Sequence, residues 1–372
     1  MPTPSQSPNP IFNSNKLKIG TFATNTIGSV RSVAPDAYKP TWANSLAAAK
    51  AADRAGFEAL LGLARWKDPN PELAADHRTN MVLDPFTWAA GIAMATTHCA
   101  VFATSHAPTV HPLVVAKQCA TIDHIAGGRF GLNVVGGWNR PEFDMFNLEL
   151  LEHDTRYDYL EEWLTVIEKL WSAQEAFDFE GKFLKLKGAL SMPQPFQKPR
   201  PAIMNAAMSG RGQKFACQYA DCCFVAPGMS KEAISSYKQL ARDEFGREVS
   251  VWLQIPLVQR ATRAEAEAFL DYFAVQHEDR LSVDGWVAGM TAESKTLKGG
   301  VPDYPRLIVA TGGMPICGGP ADIADQLEAL NEKGVDGILI SWFDFEDGIE
   351  RFSNEVLPLL EARGLREPFP GR

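Results

Sequence analysis

LKIGTFATN, Leu17 to Asn25, is the stretch on which the fold turns. Its first seven residues, Leu17–Ala23, read as a short apolar strand leading into a polar turn. An open, doubly wound sheet that binds a dinucleotide carries G-x-G-x-x-G at this point. The glycines there allow a tight turn and close approach of the backbone to a pyrophosphate. Here the chain reads GTFATN from Gly20 to Asn25, with a single glycine. Beyond Asn25 the chain still alternates strand and helix, so the same units must be arranged differently.

Outward from that strand the pattern repeats. Trp42–Ala55 is Ala-rich and helical, and Gly56 suits its stop. Phe57–Leu63 is a second strand, and Asp84–Thr97 a helix with Asp84 as cap and Pro85 in its first turn. Strands are predicted at Ala100–Ser105, Arg129–Val135, Ala202–Ala207, Cys222–Ala226, Val249–Val258 and Asp336–Trp342, separated by helices such as Pro112–Ile125 and Thr155–Trp171. Eight strands with helical crossovers predict an α/β protein with a parallel sheet, and that number favours closure into a single (β/α)8 TIM barrel. Two insertions break the rhythm: a hairpin near 177–195, turning at Glu180–Gly181, and an irregular Gly-rich segment near 278–315 that reads as a lid. Residues 1–15 read as a mobile N-terminal tail, and 16–372 as one barrel domain.

The 372 residues are 45% apolar, ample for a buried core, and the net charge of −9 comes with no basic stripe, which argues against a nucleic-acid partner. The N-terminus lacks the basic start and apolar run of a signal peptide, and no apolar stretch of about 18 residues is present to span a membrane. A cytoplasmic protein is expected. The cysteines at 99, 119, 217, 222, 223 and 317 form no C-x-x-C and read as buried thiols, the adjacent Cys222–Cys223 being the one candidate redox pair.

In such a barrel the chemistry lies at the C-terminal ends of the strands. Arg65 and Trp66 follow the second strand, Thr104, Ser105 and His106 end the third, and Asn133 sits on the fourth, with Gly136, Gly137 and Trp138 beyond it. Ser209, in AAMSGRG, stands at a strand-to-helix turn whose N–H groups suit a phosphate, or it caps the helix and nothing more. Arg156 and Tyr157 could serve the same phosphate. Asn133 could bond a ring edge or tie two strands, and Glu142 could accept a hydrogen bond or pair with Arg140. His106 and His111 flank a turn without a metal-ligand pattern, so no metal site is predicted. Trp66, Trp138, Phe343 and Phe345 could wall a pocket or pack in the core.

ATIDHIAGGRFGLNVVGGWNRPEF (Ala120–Phe143), LEHDTRYDYLEEWLTVIEKLW (Leu151–Trp171), FDFEGKFLKLKG and PQPFQKPRPAIMNAAMSGRG together resemble the bacterial-luciferase-like flavin-dependent monooxygenases, and the likeness runs in order over roughly residues 17–365. Its nearest kin there are pyrimidine, dimethylsulfone and alkanesulfonate monooxygenases. The resemblance implies FMN, reduced by a separate NAD(P)H:flavin reductase, with O2 as co-substrate. It places flavin contacts at Ala64, Arg65, Asn133, Glu142, Arg156, Tyr157 and Ser209, and an oxygen pocket at Thr104 and Asn133. Trp66, His106, His111 and Trp138 fall on the substrate side. The segment before Ser209 departs from the family pattern at Ala207 and Met208, and the two histidines are a second departure. A small polar substrate is implied, an N-heterocycle or amide before a sulfone or sulfonate, along with a homodimer or homotetramer. Two other readings share the barrel: a deazaflavin-dependent hydride-transfer oxidoreductase, and a flavin-binding protein without catalysis.

Overall fold

The computed structural model describes residues 7–206, 209–293 and 306–370. Its strands are β1 (Lys18–Phe22), β2 (Ala59–Gly62), β3 (Ala100–His106), β4 (Phe130–Val135), β5 (Phe177–Glu180), β6 (Lys185–Ala189), β7 (Ala202–Asn205), β8 (Cys222–Phe224), β9 (Ser250–Gln259), β10 (Ile316–Gly318) and β11 (Gly337–Ser341). Strands β1, β2, β3, β4, β7, β8, β9 and β11 pair in that order, all parallel, and β11 returns to β1. The closed (β/α)8 barrel is therefore as expected. β5 and β6 form the separate antiparallel hairpin. Its turn hangs on the Glu162 carboxylate, which accepts the amides of Lys182, Phe183 and Leu184.

The barrel interior is filled rather than hollow. Phe102, Trp252, Leu339, Met204 and Leu61 form its apolar plug. The largest of these sit where the adjoining strand offers glycine. A Cβ on Gly131 would fall 2.0 Å from the Phe102 ring, and one on Gly337 would fall 2.5 Å from Trp252. Outside, the helix His153–Ser172 buries Leu160, Trp163, Leu164, Ile167, Leu170 and Trp171, a stripe of helical period. Its indoles at 163 and 171 donate to the carbonyls of Val110 and Ala116, fixing it against the helix Pro112–Ile125.

Three expectations change. Residues 7–15 of the supposed tail are packed: Asn9 is buried and bonds Gln197, Ile11 joins the barrel plug, and Asn13 and Asn15 bond the buried Glu58. Residues 1–6 lie outside the described residues. The segment near 278–315 is not irregular where described: Arg280–Glu293 and Arg306–Thr311 are helical. The remainder, 294–305, lies outside the described residues, as do Ala207 and Met208. Finally, β10 adds to the edge of β9, pairing Ile316 with Leu257, where no strand is predicted. Three apolar-flanked residues are too short a signal for periodicity to register.

All six cysteines are free, and only Cys317 is not fully buried. Among the described residues no helix is long and apolar enough to cross a membrane.

Because Gly131 faces the Phe102 ring, Gly131→Ala should overpack the barrel and lower stability by about 1–3 kcal/mol. Denaturant unfolding checks this, and Gly131→Ala combined with Phe102→Leu should recover part of the loss.

Candidate active site

A cleft of about 490 Å3 opens at the C-terminal ends of the barrel strands. Ten of the residues singled out from the sequence line it: Ala64, Arg65, Thr104, His106, Asn133, Trp138, Glu142, Arg156, Tyr157 and Ser209. Two do not. His111 is an exposed helix cap whose Nδ1 accepts from the Leu113 amide, so the helix start rather than the cleft explains it. The Trp66 ring is 45% exposed and packs edge-on against Phe146 outside the cleft lining, although its backbone amide contributes to the site. Phe345 is core, against Tyr38 and Trp342.

The floor is set by strand register. β3 and β4 pair Thr104 opposite Asn133, so both side chains emerge at one level. Thr104 Oγ1 donates to the Gly62 carbonyl at 2.7 Å and accepts from Asn133 Nδ2 at 3.0 Å. Asn133 Oδ1 is buried and has no partner among the described residues. A buried amide oxygen left unpaired is costly, and a native structure retains one chiefly where a ligand or water completes it.

One wall is built by Glu142, 1% exposed. It lies on a short helix, Arg140–Met145, with Pro141 in its first turn. Its Oε1 accepts the Trp66 amide at 2.7 Å, and its Oε2 lies 3.3 Å from His106 Nδ1. The carboxylate is thus directed across the cleft mouth toward His106 rather than along its own helix to Arg140. Burial pushes the Glu142 pKa up, but the hydrogen bond and charge of His106, the Trp66 amide and the Arg65 charge together bring it below the ordinary value.

The far end gathers donors. Ser209 caps the helix Gly210–Tyr219, its Oγ accepting from the Gly212 amide at 3.1 Å. Burial raises the Tyr157 pKa, and the nearby Ser209 side chain and Arg156 charge partly offset that. Arg156 donates to the Gly137 carbonyl at 2.7 Å. A Cβ at Gly136 would meet nothing closer than Arg156 Cβ at 3.9 Å, so the backbone there is open to a flat ligand. Trp138 meets Trp286 edge-on at 6.3 Å, which brings the helix Arg280–Glu293 to the cleft rim.

His153, Asn139, Pro69 and Gln254 line the cleft without having been singled out. Gln254 was the legible one, a polar residue within the apolar VSVWLQIPLV strand, where it bonds Ser341. Asn139 bonds the Lys67 carbonyl, a contact between loops that local sequence does not report.

The fold and the cleft define a (β/α)8-barrel protein with its polar groups gathered where barrel enzymes work. The chain belongs to the luciferase-like monooxygenase family, whose model matches residues 17–337, and it is accordingly a flavin-dependent monooxygenase. A curated relative, pyrimidine monooxygenase RutA of Shigella flexneri serotype X (strain 2002017), is 30% identical over 368 residues, 93% of this chain and 92% of the relative. Among solved structures, DmoA from Hyphomicrobium sulfonivorans superposes with a TM-score of 0.82 at 21% identity, covering 96% of this chain and 93% of that one. Riboflavin lyase RcaE superposes with a TM-score of 0.81 at 21% identity, over 95% of this chain and 93% of that one. At such identities these two show the fold.

Glu142 stabilises the native state above its unfolded pKa, near 4.5, and that contribution is lost as pH falls through the lower folded value. In His106→Ala the lowering influence goes and burial remains. Acid unfolding, followed by tryptophan fluorescence, should then begin at a higher pH than in the wild type.

Proposed function

We propose that this chain is the oxygenase component of a two-component system: a separate NAD(P)H:flavin reductase supplies reduced FMN, and the barrel uses it with O2 to oxygenate or cleave a small polar organic substrate. The single observation that carries the reading is the Thr104–Asn133 pair on the cleft floor, with the buried Asn133 Oδ1 unpaired. The relatives' names favour an N-heterocycle such as a pyrimidine, with an amide beside it and a sulfone or sulfonate second, as the family resemblance implies. Association into a homodimer or homotetramer belongs to the same proposal.

The residues fit FMN. Ser209, Tyr157 and Arg156 put two hydroxyls and a guanidinium together at a helix N-terminus, the chemistry a phosphate needs. Ala64, Arg65 and the open backbone at Gly136 would flank the ring, and Asn133 would complete its amide against the ring edge. Reduced flavin supplies the electrons that let O2 react with a closed-shell organic molecule.

The protein's part is orientation and exclusion of water. Thr104, expected beside Asn133 at the oxygen, has its own proton on the Gly62 carbonyl. It therefore acts as a positioning residue that aims Asn133, whose second Nδ2 hydrogen would stabilise negative charge as it develops on oxygen, while the acceptor Oδ1 would take a donor on the ring edge. Trp138, with Trp286 behind it, and Pro69 wall the rim against water. Glu142, already engaged by Trp66 and His106, contributes to the flavin side through the loop it fixes.

The test is anaerobic titration with reduced FMN, followed by rapid mixing with O2. Tight binding, and oxidation faster than that of free flavin, is expected. Weak binding with oxidation no faster than free flavin would sink the reading and bring deazaflavin hydride transfer forward. Asn133→Ala should lower turnover by about 100-fold while weakening reduced-FMN binding far less. Equal losses in the two would remove Asn133 from its role.

A further inference from the structure

Three of the described residues that line the cleft carry a fixed charge: Arg65, Arg156 and Glu142. Two of them are committed. Arg156 donates to the Gly137 carbonyl. Glu142 Oε1 accepts the Trp66 and Lys67 amides at 2.7 and 3.3 Å, and its Oε2 faces His106. Arg65, half-buried just beyond β2, has no hydrogen bond or ion pair with any described residue. A second guanidinium is near enough for the two charges to repel. Arg31 is 2% exposed, donates through Nη1 to the Ser29 and Val309 carbonyls, and leaves Nε and Nη2 without a partner among the described residues. Burial first, and the Arg65 charge next, depress its pKa to about 9, with Asp68 and Asp279 offsetting part of that, so it stays charged at neutral pH. Like charges held together in a poorly solvated wall are costly, and an anion brought against the free one relieves that cost.

We propose that Arg65 selects the redox state of the flavin: its guanidinium pairs with the negative charge that the reduced ring carries at neutral pH and the oxidised ring lacks. This rests on the proposed function, which puts the ring beside Ala64 and Arg65. The phosphate is the same in both forms, so the groups at Ser209, Tyr157 and Arg156 hold either form and cannot tell them apart. A neutral oxidised ring leaves Arg65 opposed only by Arg31, whereas the anionic ring relieves that repulsion. Inside the cleft, with apolar walls such as Phe22, Leu63 and Trp138, the attraction is stronger than in water. Such selection suits an oxygenase that receives reduced flavin from a separate enzyme and returns it oxidised, because the charge that captures the cofactor disappears on oxidation. By linkage, tighter binding of the reduced form raises the potential of the bound flavin by the same free energy.

Anaerobic titration of the full chain with reduced FMN, and a separate titration with oxidised FMN, give the two dissociation constants. The wild type should bind reduced FMN about tenfold or more tightly than oxidised FMN. Tenfold corresponds to a rise of about 30 mV in the potential of the bound flavin, which a redox titration reads independently. In Arg65→Gln, or in Arg65→Met should that variant not fold, the ratio should fall toward one through weaker binding of the reduced form alone. Arg65→Lys should keep most of the preference, and Arg156→Gln should weaken both forms alike. Equal affinities in the wild type, tighter binding of oxidised FMN, or a preference that survives removal of the Arg65 charge would overturn the proposal. So would equal weakening of both forms in Arg65→Gln. The two readings fail separately. Preferential binding of reduced FMN, with oxidation by O2 no faster than in free solution, removes the proposed function and leaves this inference standing. Fast oxidation with equal affinities removes only this one, and failure of the wild type to bind reduced FMN removes both.

Discussion

The structure depends on how the barrel's interior is filled. Eight short parallel strands enclose a space only wide enough for side chains, and Phe102 and Trp252 occupy it because Gly131 and Gly337 on adjoining strands make room. Close packing of this kind fixes the strands' mutual register. Register in turn brings Thr104 level with Asn133 at the top of the plug. The floor of the cleft is therefore a consequence of the packing beneath it, and a rigid one, since both residues are almost wholly buried.

Above that floor the cleft is assembled from loops that hold one another. Glu142 reaches from the loop after β4 to the backbone after β2 and to His106 at the end of β3. Asn139 makes a parallel link to the Lys67 carbonyl. Arg156, from the long helix His153–Ser172, ties back to Gly137. Three strand ends are coupled by these contacts, so the position of the flavin-side residues and that of the substrate-side histidine are not independent. A carboxylate held below its ordinary pKa by these same neighbours stays charged through the neutral range, which keeps the linkage intact there.

Local sequence carried the regular elements well. The eight barrel strands, the hairpin at 177–195 and the amphipathic helix ending at Ser172 are all visible as apolar periodicity broken by turn residues. Most of the cleft was legible too, because a barrel puts its chemistry at the strand ends and polar residues there are few. The failures have two causes. The packing of residues 7–15 under the barrel, the helix at Arg280–Glu293 and the added strand β10 are settled by partners distant in the chain, whereas His111 is turned outward because it caps the helix it precedes. Composition alone made the first two look irregular.

By itself, then, the sequence determined the barrel and the kind of residue at each strand end, because hydrophobic period and turn chemistry act over a few residues. Only the tertiary structure decided how those residues are used. It placed Thr104's proton on Gly62, leaving the Asn133 amide as the group of the floor with an open hydrogen-bonding position. It also turned Glu142 to His106 instead of Arg140. Each of these choices depends on the distance and direction between groups tens of residues apart, and hydrogen bonds and ion pairs are short-ranged and directional, so no local pattern encodes them.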